Sequence, residues 1–370
     1  MSVELCVPNP RAVVSSLGGG SAEEAPQVDI SIETKSEERH VDIIDIRNGR
    51  QPLDLAPAIR AGLQHRNEHG HRTLPSLLLW NEQGLKLFEE VTCAPAYYLT
   101  DTEIALLAAH SHELARQIEP GSGSLRKTRL LLQAVEALGK RVDYYALDLG
   151  QLFCDDAGGG RHCFEHVRCH GLHGTYDDGQ VWIARPENAD RPRCILSLGS
   201  TLGSLAPSEA AAFLKTWAEI LKAGSGSRVI IGLDGCKDAA KVFAAYNDPG
   251  GANRRFIFNA LDSANAHLGY EAFRGREWTK RGEWDAEAKR HVQYLVALRE
   301  VDVPFLDDEQ QQQQQQQVVP VTVKAGEKVE VGSSYKFDDE AKERLWKESG
   351  LRVARQFVSE DRSYAPDGDV

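Results

Sequence analysis

The sequence predicts an α/β fold, a mostly parallel sheet with helices on both faces. Two buried-type strands, Arg193–Leu198 and Arg228–Asp234, alternate with amphipathic helices, and continuous β-branched runs of this kind belong to sheets covered on both sides. The third observation is the stretch from Pro120 to Asp148. A turn of Pro120, Gly121, Ser122 and Gly123 opens onto a helical pattern carrying Leu130, Leu131, Ala134, Val135 and Leu138 on one face. Gly139 stops that helix, and a β-type run from Val142 ends on Asp148. Loop, helix, strand and terminal acid in that order make half of a nucleotide-binding βαβ unit: helix-start amides can meet a charged group, and the acid can hold ribose hydroxyls. The apolar strand that should lead into the loop is missing, because Leu114–Glu119 has the pattern of a helix end.

The other elements follow in order. Residues 1–40 are rich in Gly, Ser and Glu, without periodicity, and are expected to form a disordered tail. A short strand is expected over Val41–Ile46, then helices over Leu53–Leu63, Ser76–Thr92 and Thr100–Ile118, the last opened by a capping box of Thr100 and Glu103. Beyond Asp148, His166–Cys169 is a weak strand, and Ser208–Lys222 a helix between the two buried strands. Helices are expected over Ala239–Tyr246, Phe256–Leu268 and Asp339–Ser349, and strands over His291–Leu298, Val318–Val323 and Arg352–Val358. The glutamine run 310–317 is expected to be an exposed hairpin loop between the first two of those strands.

Composition narrows the function. A net charge of −12 over 370 residues argues against general binding to nucleic acid or to anionic membrane. No run approaches the length of a membrane span, and no signal-peptide core or basic presequence precedes residue 40. Seven cysteines without framework spacing suit reduced thiols, so a cytoplasmic location is expected. The cluster of Cys154, His162, Cys163, His166, Cys169, His170 and His173 lacks the close ligand pairs of a zinc site, and no metal is expected there. A second Gly/Ser/Thr loop, Leu198–Pro207, leaves a buried strand where ligands of open α/β sheets bind; an ordinary strand-to-helix turn is its competing reading. Tyr97, Tyr98 and Tyr246 stand at element boundaries, where a phenol can serve a site or fill a half-buried core position. Lys127 lies one turn into the helix, within reach of a carboxylate or phosphate, or simply on a solvated face.

Longer motifs then point to a family. Asp42–Arg47, Thr73–Leu78, Leu87–Glu90, Tyr97–Thr100, Gly121–Gly123, Leu125–Lys127, Tyr144–Asp148, His170–Asp178, Leu233–Asp238, Ala245–Asp248 and Leu268–Phe273 together resemble the histidine-specific methyltransferases of ergothioneine biosynthesis. The likeness runs from about residue 41 to 360 and is nearest the methyltransferase portion of fungal ergothioneine synthases. The fungal 4-dimethylallyltryptophan N-methyltransferases are a sister group. The resemblance implies a Rossmann-like class I methyltransferase sheet (120–244), a helical N-terminal region (41–119), a smaller α+β substrate-binding subdomain (245–360) and a tail (361–370). It implies S-adenosyl-L-methionine as methyl donor and a small-molecule amino acid as acceptor, in a protein expected to be a monomer. Histidine would be trimethylated on its α-amino group to hercynine. By the same resemblance Gly121, Ser122, Gly123, Lys127, Asp148, Thr175 and Tyr176 hold the cofactor, and Tyr98, Gly199, Ser204, Tyr246 and Gln293 hold the substrate. No catalytic residue is assigned.

Methyl transfer from a sulfonium mainly requires alignment of nitrogen, methyl and sulfur. The amine must first lose its proton, and tyrosine rings could face the cationic ammonium that grows. The chain departs from the family at the strand before Gly121, at the short Gln151–Arg161 loop that replaces a helix, at Ser204 where asparagine is general, and in a final strand that stops early, near Tyr364. Two alternatives therefore stand beside histidine methylation: 4-dimethylallyltryptophan as acceptor, and a paralogue that binds without turnover.

Overall fold

The computed structural model describes residues 1–8, 42–50, 53–117, 125–148, 164–189, 191–222, 226–305 and 320–359. They form a mixed α/β structure with ten helices among the described residues. The glycine loop 121–123, the Cys154, His162 and Cys163 part of the Cys/His cluster, the glutamine run and residues 360–370 lie outside them.

Two sheets carry the parallel strands. In the first, β2 (Asp42–Asp45), β5 (Val167–His173) and β4 (Val142–Asp148) lie in that order, all parallel. In the second the order is β13 (Leu351–Val358), β1 (Ser2–Pro8), β7 (Arg228–Leu233) and β6 (Cys194–Ser197). Strands β6 and β7 are parallel, and β1 runs antiparallel to both of its neighbours. Among the described residues no ladder joins β4 to β6, and the parallel strands stand in two groups. Helix α3 (Tyr98–Gln117) reaches the edge of the described residues, and the stretch in which the sequence lacks a strand, 118–120, lies outside them.

Strand β1 corrects the expected tail. Val3 and Leu5 are buried against Leu106, Leu107 and Leu114 of α3, while Glu4, on the opposite face, takes hydrogen bonds from Ser2 Oγ (3.1 Å) and Gln356 Nε2 (3.0 Å). A period of two with one apolar and one polar face is what a strand needs, and the neighbouring strands supply its backbone partners.

Helices cover both faces of this sheet. On one lie α3 and α4 (Leu125–Ala137), on the other α7 (Pro207–Leu221) and α10 (Asp339–Ser349). Strand β7 shows the consequence: Ile230 packs with the first pair, and Val229, Ile231 and Leu233 with the second. A strand buried on both faces reads as a continuous apolar run. Between the two sheets in sequence run α5 (Tyr176–Ile183) and the short α6 (Pro186–Ala189).

A third sheet, in the order β3 (Arg72–Thr73), β12 (Lys328–Tyr335), β9 (Arg290–Ala297) and β8 (Trp278–Asp285), shares a separate core with α1 (Ala56–Gln64), α2 (Glu82–Thr92), α8 (Ala239–Tyr246) and α9 (Ala252–Leu268). The helix expected over Ser76–Thr92 is split. A 3₁₀ turn occupies Ser76–Leu79, and Asn81 then caps α2 by accepting the Gly84 N–H at 2.8 Å. The expected capping box is also overturned: α3 begins at Tyr98, so Thr100 lies inside the helix, and the Glu103 carboxylate turns instead toward the second sheet. The glutamine run follows β10 (Val301–Val303) rather than β9, and β10 pairs antiparallel with β11 (Val321–Val323).

Candidate active site

Arg193, just before β6, donates to Ile183 O at 3.1 Å and Ile220 O at 3.0 Å, carbonyls in the last turns of α5 and α7. Both helices thus return to one edge of the molecule, and the strand ends they left share the opposite edge, where open α/β sheets bind ligands. At that edge β4 closes on Asp148, in register with His173, β6 leads into the turn Gly199–Ser204, and β7 leads into Asp234.

Asp234 is the hinge of a buried polar cluster. Its Oδ2 accepts the Tyr98 phenol at 2.5 Å and pairs with Lys336 Nζ at 2.8 Å. Its backbone N–H donates to Ser200 Oγ at 3.0 Å. Lys336 in turn donates to Tyr246 Oη and Ser334 Oγ, each at 3.1 Å, and those two oxygens are 2.6 Å apart. One ion pair therefore fixes two phenols, from the start of α3 and the end of α8, against the end of β12. Burial alone would raise the Asp234 carboxyl, but Lys336 and the Tyr98 O–H outweigh it and hold the acid ionised. Burial and the Asp234 charge push the Tyr98 phenol far up, so it remains a donor.

The turn after β6 is held from α3. Both oxygens of the buried Glu103 carboxylate accept the Gly199 N–H, at 2.8 and 2.9 Å. Gly199 (φ 81°) and Ser200 (φ 54°) both take the left-handed conformation, which turns the Ser200 hydroxyl back onto β7.

A second network lies under Tyr246. Its ring stacks on His291 at 4.7 Å and 18°, and Tyr97 meets it edge-on at 5.8 Å. Lys280 donates to Tyr246 O and, at 3.0 Å, to Asn247 Oδ1; Gln293 Nε2 donates to Tyr246 O at 3.4 Å and Asn253 Oδ1 at 3.1 Å. Burial lowers Lys280 to about 8, with Asp248 opposing. Burial, Lys280 and Lys336 together lower His291 to about 3, so its ring is neutral in the folded protein. The unfolded chain protonates that imidazole near pH 6.5, so the stability held by its neutral form is lost as pH falls from about 6.5 to 3. The whole shift is worth on the order of 5 kcal/mol. His291→Phe is expected to flatten that part of the acid limb in urea titrations at several pH values; an unchanged limb would contradict the assignment.

The sequence-predicted residues divide accordingly. The structure brings Tyr98, Gly199, Tyr246 and Gln293 together. Ser204 stands apart from the cluster, exposed, with its hydroxyl donating to Thr201 O at 2.8 Å. Thr175 is the N-cap of α5 in a reciprocal box with Asp178, and Tyr176 is exposed, edge-on to Phe213. Gly121, Ser122 and Gly123 and the side chains of Lys127 and Asp148 lie outside the described residues. Tyrosine faces were expected to meet a substrate cation, yet the resident Lys336 and Lys241 lie 4.9 Å from the ring centroids of Tyr246 and Tyr98. Asp234, Lys336, Ser334, Glu103 and His291 carry no site assignment from the sequence. Asp234 stands out there only as an acid ending a buried strand and Glu103 only as a helix cap, while Ser200 lies inside the Leu198–Pro207 loop already singled out.

Residues 55–366 match the family described as histidine-specific methyltransferase, SAM-dependent. The chain belongs to this family. Its cofactor is accordingly S-adenosylmethionine, and the edge described above suits that group: an acid closes β4, and α4 begins at Leu125, the pairing that serves ribose hydroxyls and an anionic end. Ergothioneine biosynthesis protein 1 of Neurospora crassa is 38% identical over 328 residues, covering 86% of this chain and 35% of that protein. The chain thus spans about a third of that relative's length. The N-methyltransferase imqF of Aspergillus flavus is 31% identical, with 88% and 87% covered, and the 4-dimethylallyltryptophan N-methyltransferase easF of Claviceps purpurea 33%, with 86% and 95% covered. The chain is similar to all three, the last two of which are N-methyltransferases by name. No helix among the described residues is long and apolar enough to cross a membrane.

Proposed function

We propose that this family member methylates the α-amino group of an amino acid, with L-histidine as the acceptor and the trimethylated betaine as the product. The observation that carries the reading is the pair of phenols, Tyr98 and Tyr246, held by one buried ion pair beside the turn Gly199–Ser204. Similarity to the Neurospora ergothioneine protein supports histidine, and similarity to the dimethylallyltryptophan enzymes supports the alternative acceptor.

When bound, S-adenosylmethionine supplies an electrophilic methyl group on a sulfonium sulfur. The chain's own residues position the nucleophile. Tyr98 and Tyr246 present phenol oxygens to the amino-acid head, and Glu103 keeps the turn after β6 in place. Asp234 is committed to Lys336 and to the Tyr98 O–H, so it is a poor base. The α-amino group releases its proton to water before attack, and desolvation of its charged form favours that loss. Rate then comes from alignment rather than from a strong base. In this reading the Rossmann-like core spans 120–244 and the substrate subdomain 245–360, with Gly121, Ser122, Gly123, Lys127, Asp148, Thr175 and Tyr176 on the cofactor and Gly199, Ser204 and Gln293 on the substrate.

The test supplies purified protein with labelled S-adenosylmethionine and either histidine or 4-dimethylallyltryptophan. Label in the histidine product supports the proposal, label only in the indole product selects the alternative, and no label together with no calorimetric binding of cofactor selects the non-catalytic paralogue. Asp148→Ala is expected to weaken S-adenosylmethionine at least tenfold by calorimetry, the ribose hydroxyls losing a charged acceptor. Unchanged affinity would remove Asp148 from the cofactor site.

A further inference from the structure

His291 and Gln293 sit two residues apart on β9, so their side chains leave the same face of the strand. Both are buried, and both contact the Tyr246 residue, one by stacking and one through its carbonyl. Each leaves one polar atom without a partner among the described residues: Nδ1 of His291 and Oε1 of Gln293.

The neighbours define what those two atoms are. Lys280 has only hydrogens to give, so it fixes Asn247 with Oδ1 toward itself and Nδ2 toward the imidazole, 3.2 Å from His291 Nε2. Nε2 is then the acceptor, and the single proton of the neutral ring sits on Nδ1. The Gln293 amide donates to two oxygens, Tyr246 O and Asn253 Oδ1, which leaves Oε1 as an acceptor. The face of β9 beside Tyr246 therefore carries one unmatched donor and one unmatched acceptor, both on buried side chains.

We infer that His291 and Gln293 read the side chain of the acceptor amino acid, and that their donor and acceptor are matched to a neutral azole. This deepens the proposed function and rests on it. A five-membered ring with one N–H and one bare nitrogen satisfies both atoms at once: Nδ1–H donates to the bare nitrogen, and Oε1 accepts the ring N–H. A prenylated indole offers an N–H but no ring acceptor, and a thiophene offers neither. Sites built to hydrogen-bond a group reject analogues lacking it strongly, by up to about 10⁴–10⁵-fold, because the buried partners are left unmatched. Both residues act on substrate binding, with no part in moving the methyl group.

The experiment compares L-histidine with L-β-(2-thienyl)alanine, a ring of similar shape without nitrogen, on the full chain, His291→Phe and Gln293→Leu. His291→Phe keeps a ring to stack on Tyr246. Two readouts are taken: kcat/KM with S-adenosylmethionine, and affinity by calorimetry with S-adenosylhomocysteine present. Expected is a preference for histidine of at least about 10²-fold in the wild type, falling below about tenfold in each variant. A wild-type preference below tenfold, or a preference unchanged in both variants, overturns the inference. Methyl transfer to amino acids with an unaltered preference sinks this inference alone. Absence of transfer to every amino acid sinks the proposed function, and the binding ratio then decides this inference separately. If His291→Phe does not fold, judged by circular dichroism, Gln293→Leu carries the test.

Discussion

Replacing Lys336 by methionine is expected to cost about 3–5 kcal/mol of folding stability and nearly all methyl transfer. Lys336 and Asp234 are both buried, and the carboxylate they share with Tyr98 would be left charged in a medium that solvates it poorly. Part of the loss appears as a rise in the Asp234 pKa, because neutralising the acid is the cheaper response to an absent partner. The double variant Asp234→Asn/Lys336→Met should recover most of the stability, since no unpaired charge remains, yet it should not recover activity. The ion pair holds two phenols at set positions, and a neutral pair of similar volume does not. Urea unfolding at pH 7 with methylation assays on the same preparations separates the two effects. A single variant within about 1 kcal/mol of wild type would mean that water already reaches the pair.

Gly232→Ala is expected to act in the opposite sense from most such changes. Gly232 has an ordinary φ, and alanine there would usually stabilise by about 0.4–1 kcal/mol by restricting the unfolded chain. A Cβ at this site would lie 1.9 Å from Glu103 Oε1 and 3.4 Å from Gly199 N. The Glu103 carboxylate would have to leave Gly199 N–H, at the start of the turn Gly199–Ser204 proposed to hold the substrate. A net loss of about 2–4 kcal/mol follows, from overpacking and from a charge-assisted bond broken in the interior. Because the turn rather than the cofactor edge is disturbed, the KM for the amino acid should rise tenfold or more, with S-adenosylmethionine affinity within about threefold of wild type. Equal weakening of both ligands would place Glu103 in general support of the fold.

Elements with a long apolar period were legible in the sequence. Ala239–Tyr246 and Asp339–Ser349 coincide with α8 and α10, and β6, β7, α7 and β13 differ only by a residue or so at their ends. Strand β1 was not, because the alternation of Ser2, Val3, Glu4 and Leu5 is too short to stand out before a Gly/Ser-rich stretch; its partners are supplied from the far end of the chain. Thr100 and Glu103 have the right spacing for a cap, but Glu103 is worth more on Gly199 than on its own helix end, and that contact is between residues 96 positions apart. The site was half legible for the same reason. Tyr98 and Tyr246 carry a recognisable motif, whereas Lys336 follows an unremarkable strand and gains its meaning only when β12 brings it to Asp234. His291 was hidden more deeply: an alternating strand places it on one face, but nothing local reveals that Asn247 and Lys280 will dictate its tautomer.

Strand β1 also sets a schedule for the chain's synthesis. Leu5 pairs with Ile230 on one side and Arg355 on the other. At about 5–20 residues per second, the roughly 225 residues that separate Leu5 from Ile230 take on the order of 10–45 s to emerge from the ribosome. Its partner β13 follows later still. Throughout that interval an apolar segment waits without the partners it has in the fold, and β7 emerges before the edge that β1 covers can be matched to β13, the kind of surface on which nascent chains find wrong partners. Strand β1 precedes every other described strand in the sequence yet is among the last to be placed, and the second sheet is completed only when β1 and β13 are present together.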